Sequence, residues 1–352
     1  MNNWKRIAVS PDMTVLEAMK IIDSAGTQFV MVMGPEDKLL GVVTDGDVRR
    51  GILQNIPLSS PVDKIMNPKP RSLSSDVSRA EAIEFLQKMH ITHVPLIDKY
   101  GRVTNVISID ERVGLAGIAN TAVLMVGGLG SRLGDLTSNC PKPMLLIAGR
   151  PVLEIIVENL KEHGFKDFIF CVNYRAEMIL SHFGDGSSMG INIRYVNETK
   201  RMGTAGALGL LPPDVKGPFL VMNGDIVTKV NFTKLMEFHR ENQVKATMAV
   251  RKYDFQIPYG VVKAVEGRIT EIEEKPVHSF LVSAGIYVVE KECARHLPKD
   301  TFFDMPQLFD SMMKAGDHTH AFPIHEYWLD IGREDDLNRA HLEYPDLKQR
   351  DN

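Results

Sequence analysis

A glycine-rich loop near the middle of the chain carries the residue types that bind phosphate. An apolar run ends in Gly127, Gly128 and Gly130, and the cations Arg132 and Lys142 follow. Glycines let main-chain N–H groups approach an anion closely, and the two cations supply charge. A proline on each side of the lysine limits its backbone freedom. Two positive groups on one loop fit a polyphosphate better than a neutral nicotinamide.

The spacing of these glycines disfavours the two commonest phosphate motifs. A dinucleotide fingerprint has G-x-G-x-x-G opening a helix, whereas here Gly134 comes one residue too late and Pro141 and Pro143 interrupt the expected helix. About 20 positions later the chain reads Ala148-Gly149-Arg150, with no acidic residue at the end of a strand, where that motif requires one. A P-loop needs a Gly-Lys pair, which this segment lacks. A dinucleotide-dependent oxidoreductase is therefore disfavoured.

Alternating strands and helices must position this loop. Apolar runs and helical periodicity predict strands at 122–126, 167–173, 191–196 and 218–222, and helices at 151–163, 176–183 and around 204–211. The alternation predicts an α/β domain with a Rossmann-like, mainly parallel sheet covered by helices on both faces. Ligands of such sheets bind at the carboxyl ends of the strands.

The first third of the chain contains an internal repeat. A shift of 64 positions places Glu17 on Glu81, Thr44 on Ser108 and Asp47 on Glu111, without a gap. Each copy predicts a β–α–β–β–α unit of about 60 residues, in an α+β arrangement. A unit of that size buries little core alone, so we expect the two copies to pack together.

This repeat resembles a tandem CBS pair, or Bateman module, over residues 1–115. The resemblance rests on GVVTDGDVRR at 41–50 and THVPLID at 92–98. It implies an adenine nucleotide between the copies, with the Thr44 hydroxyl at a phosphate and the Asp47 carboxylate at the ribose. Ser108 and Glu111 replace these residues in the second copy, and a module that only dimerises is the alternative. The segment 113–120 suits a short linker.

The second part of the chain, which we expect to form one catalytic domain over residues 121–352, resembles the sugar-1-phosphate nucleotidyltransferases over about residues 121–345. Seven motifs occur in the family's order: GGLGSRLGDLT with PKPML, NETKRMGTAGAL, VMNGDIV, YGVV, EEKP, VSAGIYV and YWLDIGRED. The resemblance implies transfer of a nucleotidyl group from a nucleoside triphosphate to a sugar-1-phosphate, with release of pyrophosphate. Two positions depart from the family pattern, Val126 where alanine is common and Asp135 where proline is common.

The resemblance also implies a role for individual residues. Asp225 and Asp330 would hold Mg²⁺, Arg132 and Lys142 would neutralise the phosphates, and Lys275 would bind the sugar phosphate. The implied nucleotide-binding residues are Gly127, Gly128, Gly130, Ser131, Asn173, Gly203, Thr204 and Asn223. The implied sugar-phosphate residues are Glu198, Tyr259, Gly260, Glu274, Lys275 and Gly285. A loop-stabilising role remains equally open for the asparagine at 173.

The substrates remain open at this point. The resemblance extends to guanylyltransferases for bacterial surface sugars, including those that act on glucosamine-1-phosphate in legionaminic acid synthesis. This favours GTP over CTP or UTP and glucosamine-1-phosphate as the sugar, with heptose- and mannose-1-phosphate as alternatives. A non-catalytic nucleotide sensor is the alternative from another class. Retention of both carboxylates and all three cations argues against it.

Composition limits the remaining classes of protein. The 352 residues carry a net charge of −4, which argues against nucleic acid as a partner. Three widely spaced cysteines indicate no disulfide framework and a reducing compartment. No apolar leader and no stretch of about 18 apolar residues occurs, so no membrane partner is expected. We expect a cytoplasmic homo-oligomer.

Overall fold

The computed structural model describes residues 4–25, 27, 29–89, 91–108 and 121–349. The chain divides into two compact units, Met1–Gly117 and Ile118–Asn352. Glu111 and the predicted linker at 113–120 lie outside the described residues. The proposed domain limits, 1–115 and 121–352, therefore stay a prediction in their detail.

The first unit consists of short strands and helices in a repeated order. Its elements are β1 (Ala8–Val9), α1 (Val15–Ala25), β2 (Phe29–Met33), β3 (Leu39–Thr44), α2 (Asp45–Leu53), β4 (Leu73–Ser74), α3 (Arg79–Lys88), β5 (His93–Ile97) and β6 (Val103–Ser108). They form two three-stranded sheets with the orders β1-β2-β3 and β4-β5-β6.

The repeat of 64 residues is visible in the strand register. In the first sheet Phe29 pairs with Thr44, and in the second His93 pairs with Ser108. The irregularity in each hairpin also recurs, after Val32 and after Leu96. Helix α1 is preceded by a Thr14–Glu17 hydrogen-bond pair, and α3 by an equivalent pair between Ser78 and Glu81. The sequence repeat therefore corresponds to a structural repeat.

The two copies share a core, as their small size requires. Val103 and Val106 of the second copy belong to the hydrophobic cluster of the first. The Phe29 ring lies 4.9 Å from the His93 ring, at equivalent positions of the repeat. The Leu39 N–H also donates to the Gly101 carbonyl at 3.0 Å. Neither copy buries enough apolar surface alone, and packing together completes the core.

The second unit contains the predicted α/β domain. Its elements are β7 (Thr121–Met125), β8 (Leu146–Ile147), β9 (Arg150–Pro151), α4 (Val152–Glu162), β10 (Asp167–Val172), α5 (Ala176–Phe183), β11 (Asn192–Asn197), α6 (Gly203–Gly206), β12 (Phe219–Asn223), β13 (Ile226–Thr228), α7 (Phe232–Glu241), β14 (Ala246–Gln256), β15 (Val261–Val265), β16 (Arg268–Glu273), β17 (Val277–Val289), α8 (Met305–Lys314), β18 (Thr319–Ile324), β19 (Trp328–Asp330) and α9 (Glu334–Gln349).

A seven-stranded sheet forms the centre of this unit, in the order β11-β10-β7-β12-β17-β14-β18. Four of its six pairings are parallel, and β17 is antiparallel to both of its neighbours. The mainly parallel sheet is thus confirmed. The helix expected around 204–211 is shorter, because α6 ends at Gly206 and a 3₁₀ turn over Ala207–Leu210 follows.

Apolar side chains cover both faces of this sheet. One cluster includes Leu153, Ile156 and Leu160 of α4, spaced to face the sheet on one stripe. The other includes Leu308 and Met312 of α8. With its faces covered, the sheet is left with its strand ends for binding ligands. Among the described residues, no helix has the length and apolar character needed to cross a membrane.

Candidate active site

A lysine and two aspartates meet at the carboxyl end of the sheet. Asp225 follows β12 directly, and β13 pairs with β19 so that Ile226 lies opposite Asp330. The Lys142 ammonium donates to the Asp225 carboxylate and lies 3.7 Å from an oxygen of Asp330. Three residues that are up to 188 positions apart in the chain are therefore brought together by strand pairing.

The two carboxylates of this cluster are poorly satisfied by the protein. Burial raises the pKa of Asp330, repulsion from Asp225 raises it further, and the Lys142 ammonium opposes both effects. The Asp225 Oδ1 is buried, and none of the described residues donates a hydrogen bond to it. Carboxylates held this close favour a cation between them, because two like charges otherwise repel.

These residues fit a magnesium ion. Mg²⁺ binds one or two carboxylates and completes its octahedron with water and substrate phosphates. Asp225 and Asp330 could supply hard oxygen ligands, and Oδ1 of Asp225 has no hydrogen-bond partner among the described residues. The Lys142 ammonium places one positive charge beside the two carboxylates.

The backbone around the lysine is fixed by its proline neighbours. Lys142–Met144 forms one 3₁₀ turn after Pro141, and Pro143 and Met144 are buried. The lysine side chain is only 15% exposed. This segment therefore anchors the ammonium beside the carboxylates, as its proline-flanked sequence suggested.

The glycine loop folds back on itself after β7. Gly130 has a φ of +66°, and a Cβ there would lie 2.9 Å from Thr137 and 3.1 Å from Lys142. The Thr137 hydroxyl donates to the Gly130 carbonyl at 3.0 Å, and the Tyr174 hydroxyl donates to the Thr137 carbonyl at 3.1 Å. Only glycine fits this left-handed, crowded position, so the loop geometry depends on it.

Two cavities open at this end of the sheet, each of about 270 Å³. The first is lined by Met125, Val126, Gly127, Gly128, Lys142, Pro143, Glu198, Arg201, Met202, Gly203, Thr204, Asn223, Gly224, Asp225, Phe302 and Asp304. The second is lined by Thr204, Asn223, Ile226, Ser283, Ala284, Gly285, Tyr287, Asp304, Pro306, Trp328 and Asp330. Of the two carboxylates beside Lys142, Asp225 therefore lines the first cavity and Asp330 lines the second.

Two glycines allow the walls of these cavities to approach closely. A Cβ on Gly224 would lie 2.5 Å from Val126, which is itself almost fully buried. A Cβ on Gly285, where φ is +68°, would lie 2.8 Å from the Asn223 amide and 2.5 Å from Ile226. The bulkier residue at position 126 is therefore accommodated against a glycine in the wall of the first cavity.

Asp135 lies outside the residues that line either cavity.

Several predicted ligand contacts are used within the protein instead. The Asn173 side-chain amide donates to the Glu198 carbonyl at 2.7 Å, which is the loop contact left open above. The Thr204 N–H was expected to face a base or sugar, but it donates to the Asp304 carboxylate at 2.9 Å. Because that N–H is occupied, the contact expected from it is not available in this arrangement. Only the Gly203 N–H of this pair stays a candidate.

Glu198 lines the first cavity together with several residues that were predicted to bind the nucleotide, and apart from the other residues that were predicted to bind the sugar phosphate. Its carboxylate is in the first cavity and accepts the Met202 N–H at 3.1 Å. A Cβ on Gly127 would lie 2.9 Å from the other carboxylate oxygen. Burial raises the pKa of Glu198. Gly285, which was predicted to share its role, lines the second cavity instead.

The remaining predicted residues lie outside both cavities. Ser131 and Arg132 are exposed on the turn after Gly130. Tyr259, Gly260, Glu274 and Lys275 lie on an extension formed by β15, β16 and the ends of β14 and β17. The tyrosine is 74% exposed, and Lys275 has a left-handed φ of +49°. A Cβ on Gly260 would lie 3.0 Å from Glu274, so these two residues are neighbours.

Three charged or aromatic side chains that line the first cavity were not predicted from the sequence. Asp304 caps α8 and holds Thr204, a contact between residues 100 positions apart. Arg201 lies inside the NETKRMGTAGAL motif, but it was not predicted to face a ligand. Phe302 is an aromatic residue in a loop, 48% exposed, which a helix or strand pattern would not select. The positions of Asp304 and Phe302 in the cavity depend on the tertiary fold. Arg201 could have been predicted, because it is a cation inside a motif that the sequence analysis already quoted.

The predicted adenine-nucleotide residues of the first unit form a helix cap. The Thr44 hydroxyl donates to the Asp47 carboxylate at 2.6 Å and accepts the Asp47 N–H at 3.2 Å. The same carboxylate accepts the Thr44 N–H at 2.8 Å and pairs with Arg50. This reciprocal arrangement is a capping box at the start of α2. Both side chains are therefore engaged with each other.

Comparison with known proteins agrees with the fold. The Nucleotidyl transferase family matches residues 121–346, and the CBS domain matches residues 4–54 and 62–111. The chain belongs to the nucleotidyl transferase family, and a CBS pair precedes that domain.

The similar curated proteins are sugar-1-phosphate nucleotidyltransferases. Mannose-1-phosphate guanyltransferase of Yarrowia lipolytica is 32% identical over 61% of this chain and 61% of its own length. The mannose-1-phosphate guanylyltransferase of Mycobacterium tuberculosis is 29% identical over 62% of this chain and 63% of its own. A UTP–glucose-1-phosphate uridylyltransferase of Synechocystis is 31% identical over 62% of each chain. The chain thus spans about three fifths of the length of these relatives.

A solved structure confirms the fold of the second unit. HddC from Yersinia pseudotuberculosis, complexed with GMP-PN, has a TM-score of 0.52 and 24% sequence identity. The match covers 64% of this chain and 99% of that one.

Proposed function

We propose that this protein transfers a guanylyl group from GTP to a sugar-1-phosphate and releases pyrophosphate. The observation that carries the proposal is the Lys142, Asp225 and Asp330 cluster between two adjacent cavities of similar size. One cavity would take the nucleotide and the other the sugar. The guanylyltransferases among the relatives support the choice of base.

The reaction needs charge and alignment rather than a general base. The second phosphate pKa is about 6, so the attacking oxygen of a sugar-1-phosphate is largely ionised at neutral pH. The barrier then comes from bringing two polyanions together, and positioned cations lower it. Lys142 would neutralise the nucleotide phosphates at the strand edge. Arg132 and Lys275, both on exposed segments, would close on the leaving pyrophosphate and on the sugar phosphate.

Asp225 and Asp330 would hold Mg²⁺ in this proposal. The ion, when bound, would supply positive charge to the phosphate oxygens. The two carboxylates would also fix the orientation of the loop after β12 and of β19, so that the walls of both cavities keep their spacing. Lys142 would exchange its contact with Asp225 for one with phosphate.

Pyrophosphate release tests the proposal. The full chain with Mg²⁺ is given each of the four common nucleoside triphosphates, paired with mannose-, glucosamine-, glucose- or heptose-1-phosphate. We expect GTP with mannose- or glucosamine-1-phosphate to give the highest rate. No release with any pair would leave a non-catalytic nucleotide sensor, the alternative from another class.

We further propose that the CBS pair binds an adenine nucleotide and alters activity or assembly in a homo-oligomer. The family match supports this proposal. Asp47 and Thr44 would have to exchange their mutual hydrogen bonds for ribose and phosphate contacts. Calorimetry with AMP, ADP and ATP on the full chain tests it. Absence of binding to all three would leave dimerisation as the role of the module.

A further inference from the structure

The strand that carries Asp330 is too short to fix that carboxylate by itself. Strand β19 has three residues and pairs with β13 in a two-stranded sheet. Two paired strands are marginally stable without outside support. Trp328 and Asp330 stand two positions apart on β19, so their side chains point to the same face, and both line the second cavity. The position of Asp330 therefore depends on what holds the strand around Trp328.

Trp328 is held by two strands of the central sheet. Its indole Nε1 donates to the Ala284 carbonyl of β17 at 2.8 Å. Its main-chain carbonyl accepts from the Arg251 Nη1 of β14 at 2.6 Å. The same guanidinium lies over the indole ring, 5.5 Å from the ring centroid. Arg251 therefore holds both the backbone and the ring of the residue that begins β19.

Arg251 is itself firmly placed inside the sheet. It pairs with Val282 of β17 on one side and with Ile324 of β18 on the other. Burial lowers the pKa of its guanidinium, and the nearby Arg339 lowers that pKa further. No carboxylate among the described residues forms an ion pair with Arg251. A partly buried cation without an anionic partner costs free energy, so it persists where its other contacts are used.

We propose that Arg251 is a positioning residue for Asp330, one of the two proposed Mg²⁺ ligands; this inference rests on the nucleotidyl transfer proposed above. Arg251 holds Trp328, and Trp328 holds the strand that places the Asp330 carboxylate beside Asp225. Side chains that orient a metal ligand without touching the ion contribute about 10- to 100-fold to metal affinity or activity. Loss of Arg251 should therefore weaken the binding of Mg²⁺ far more than the binding of GTP.

The Mg²⁺ dependence of turnover in Arg251→Met tests this role. Methionine keeps much of the side-chain length and removes both contacts with Trp328. With the full chain, GTP and the sugar-1-phosphate that gives the highest rate, we expect the Mg²⁺ concentration for half-maximal turnover to rise about tenfold. KM for GTP at saturating Mg²⁺ should change less than about twofold. Arg251→Lys keeps a donor for the carbonyl but lacks the planar fork, so its shift should be about threefold. This variant also decides the question should the methionine variant not fold.

Fluorescence of Trp328 gives a readout that does not require turnover. The chain has two tryptophans, so in Trp4→Phe the emission comes from Trp328 alone. Adding Arg251→Met should shift this emission to the red and make it more accessible to acrylamide, because the guanidinium no longer covers the ring. We also expect titration with Mg²⁺ alone to change the emission, since Trp328 lies two positions from Asp330. Half-saturation should need about tenfold more Mg²⁺ in the double variant than in Trp4→Phe.

Lys252→Met is the matched control. Lys252 follows Arg251 on β14, its side chain points to the opposite face, and it lies 3.6 Å from Asp254. This substitution should leave the Mg²⁺ dependence and the Trp328 emission unchanged. A tenfold shift in Lys252→Met as well would overturn the proposal.

Two results for Arg251→Met would also overturn it. One is a Mg²⁺ dependence and an acrylamide quenching equal to those of the unaltered arginine. The other is a loss of turnover by the same factor at every Mg²⁺ concentration, which would indicate a purely structural role. If no nucleoside triphosphate releases pyrophosphate, nucleotidyl transfer itself fails, and the Mg²⁺ titration of Trp328 emission still decides the role of Arg251.

Discussion

Two carboxylates predicted to bind ligands, Asp47 and Asp225, differ in how the protein satisfies them. In the first unit, Asp47 accepts both the N–H and the hydroxyl of Thr44 and pairs with Arg50. In the second unit, Asp225 has one oxygen without a partner among the described residues and stands beside a second carboxylate. One carboxylate stabilises a helix, whereas the other costs stability and is balanced by a cation.

This difference separates a residue that the fold needs from one that a ligand needs. A buried polar atom without a partner costs free energy, so it persists where binding or catalysis uses it. Asp225 is therefore a stronger candidate for a ligand-binding residue than Asp47. Asp47 would have to give up existing hydrogen bonds to bind a nucleotide, which lowers the net affinity of the first unit for that nucleotide.

The largest effect should come from Asp225→Asn. This change keeps the size of the side chain and removes the negative charge that would hold the metal. We expect kcat/KM to fall about a thousandfold. The free energy of unfolding should change little, because relief of the repulsion from Asp330 is offset by loss of the Lys142 ion pair. Turnover assays and urea unfolding measure the two quantities, and unchanged turnover would refute the role assigned to Asp225.

A smaller loss is expected from Lys275→Met on the exposed extension. If Lys275 closes on the sugar phosphate, losing this charged hydrogen bond should raise KM for the sugar-1-phosphate about 10- to 100-fold. KM for GTP should change less than twofold. Lys263 on the same extension pairs with Glu271 at 2.7 Å, so Lys263→Met is the matched control. Equal effects of the two substitutions would show that position 275 has no special role.

His239 shows that a buried polar atom without a hydrogen-bond partner need not belong to a binding or catalytic site. Its ring is 1% exposed and Nδ1 is 2.9 Å from the Thr247 hydroxyl. Nε2 makes no hydrogen bond within the described structure, although it lies 3.6 Å from the Glu290 carboxylate. Burial lowers the pKa of His239 to about 4. The unfolded chain, with an ordinary histidine pKa near 6.5, therefore binds more protons between these two values.

It follows that the free energy of unfolding should fall as the pH drops from about 6.5 to about 4, by about 2 kcal/mol. Urea unfolding across this range measures the slope, and His239→Gln should flatten it. Turnover at pH 7.5 should be almost unaffected, because the residue lies outside both cavities. A slope that is the same in both proteins would contradict the assignment of the effect to this histidine.

The smallest effect is expected from Asp47→Asn. Loss of the capping box and of the Arg50 pair should lower the free energy of unfolding of the first unit by about 1 kcal/mol. Basal turnover should stay within about twofold of the unaltered protein. Thermal unfolding with and without AMP gives the measurement. A substitution that left stability unchanged would contradict the capping role of Asp47.

Features set by local spacing could be predicted from the sequence. The shift of 64 residues predicted that the two copies share one fold, and the hairpin registers of both copies agree with that shift. Asp225 was recognisable because it follows a buried strand in a parallel sheet, whose carboxyl edge collects ligand-binding residues. The repeat and the mainly parallel sheet were confirmed because strand periodicity and sheet topology determine them, whereas the role of Asp225 stays a prediction.

Features set by contacts distant in the chain could not be predicted. The Thr204 N–H is occupied by Asp304, 100 residues later, and no pattern in the sequence announces that contact. Glu198 was assigned to the sugar by its motif, but its side chain lies over Gly127 in the first cavity. The motif identified both residues, whereas only the fold determined which wall each one faces.

The fate of each phosphate of GTP tests the central claim most directly. The full chain, Mg²⁺ and mannose- or glucosamine-1-phosphate are incubated with GTP that is labelled at either the α- or the γ-phosphorus, and the products are separated. Nucleotidyl transfer predicts the α label in a guanosine diphosphate sugar and the γ label in pyrophosphate. Release of the γ label as orthophosphate, or an α label that never joins the sugar, would contradict the account.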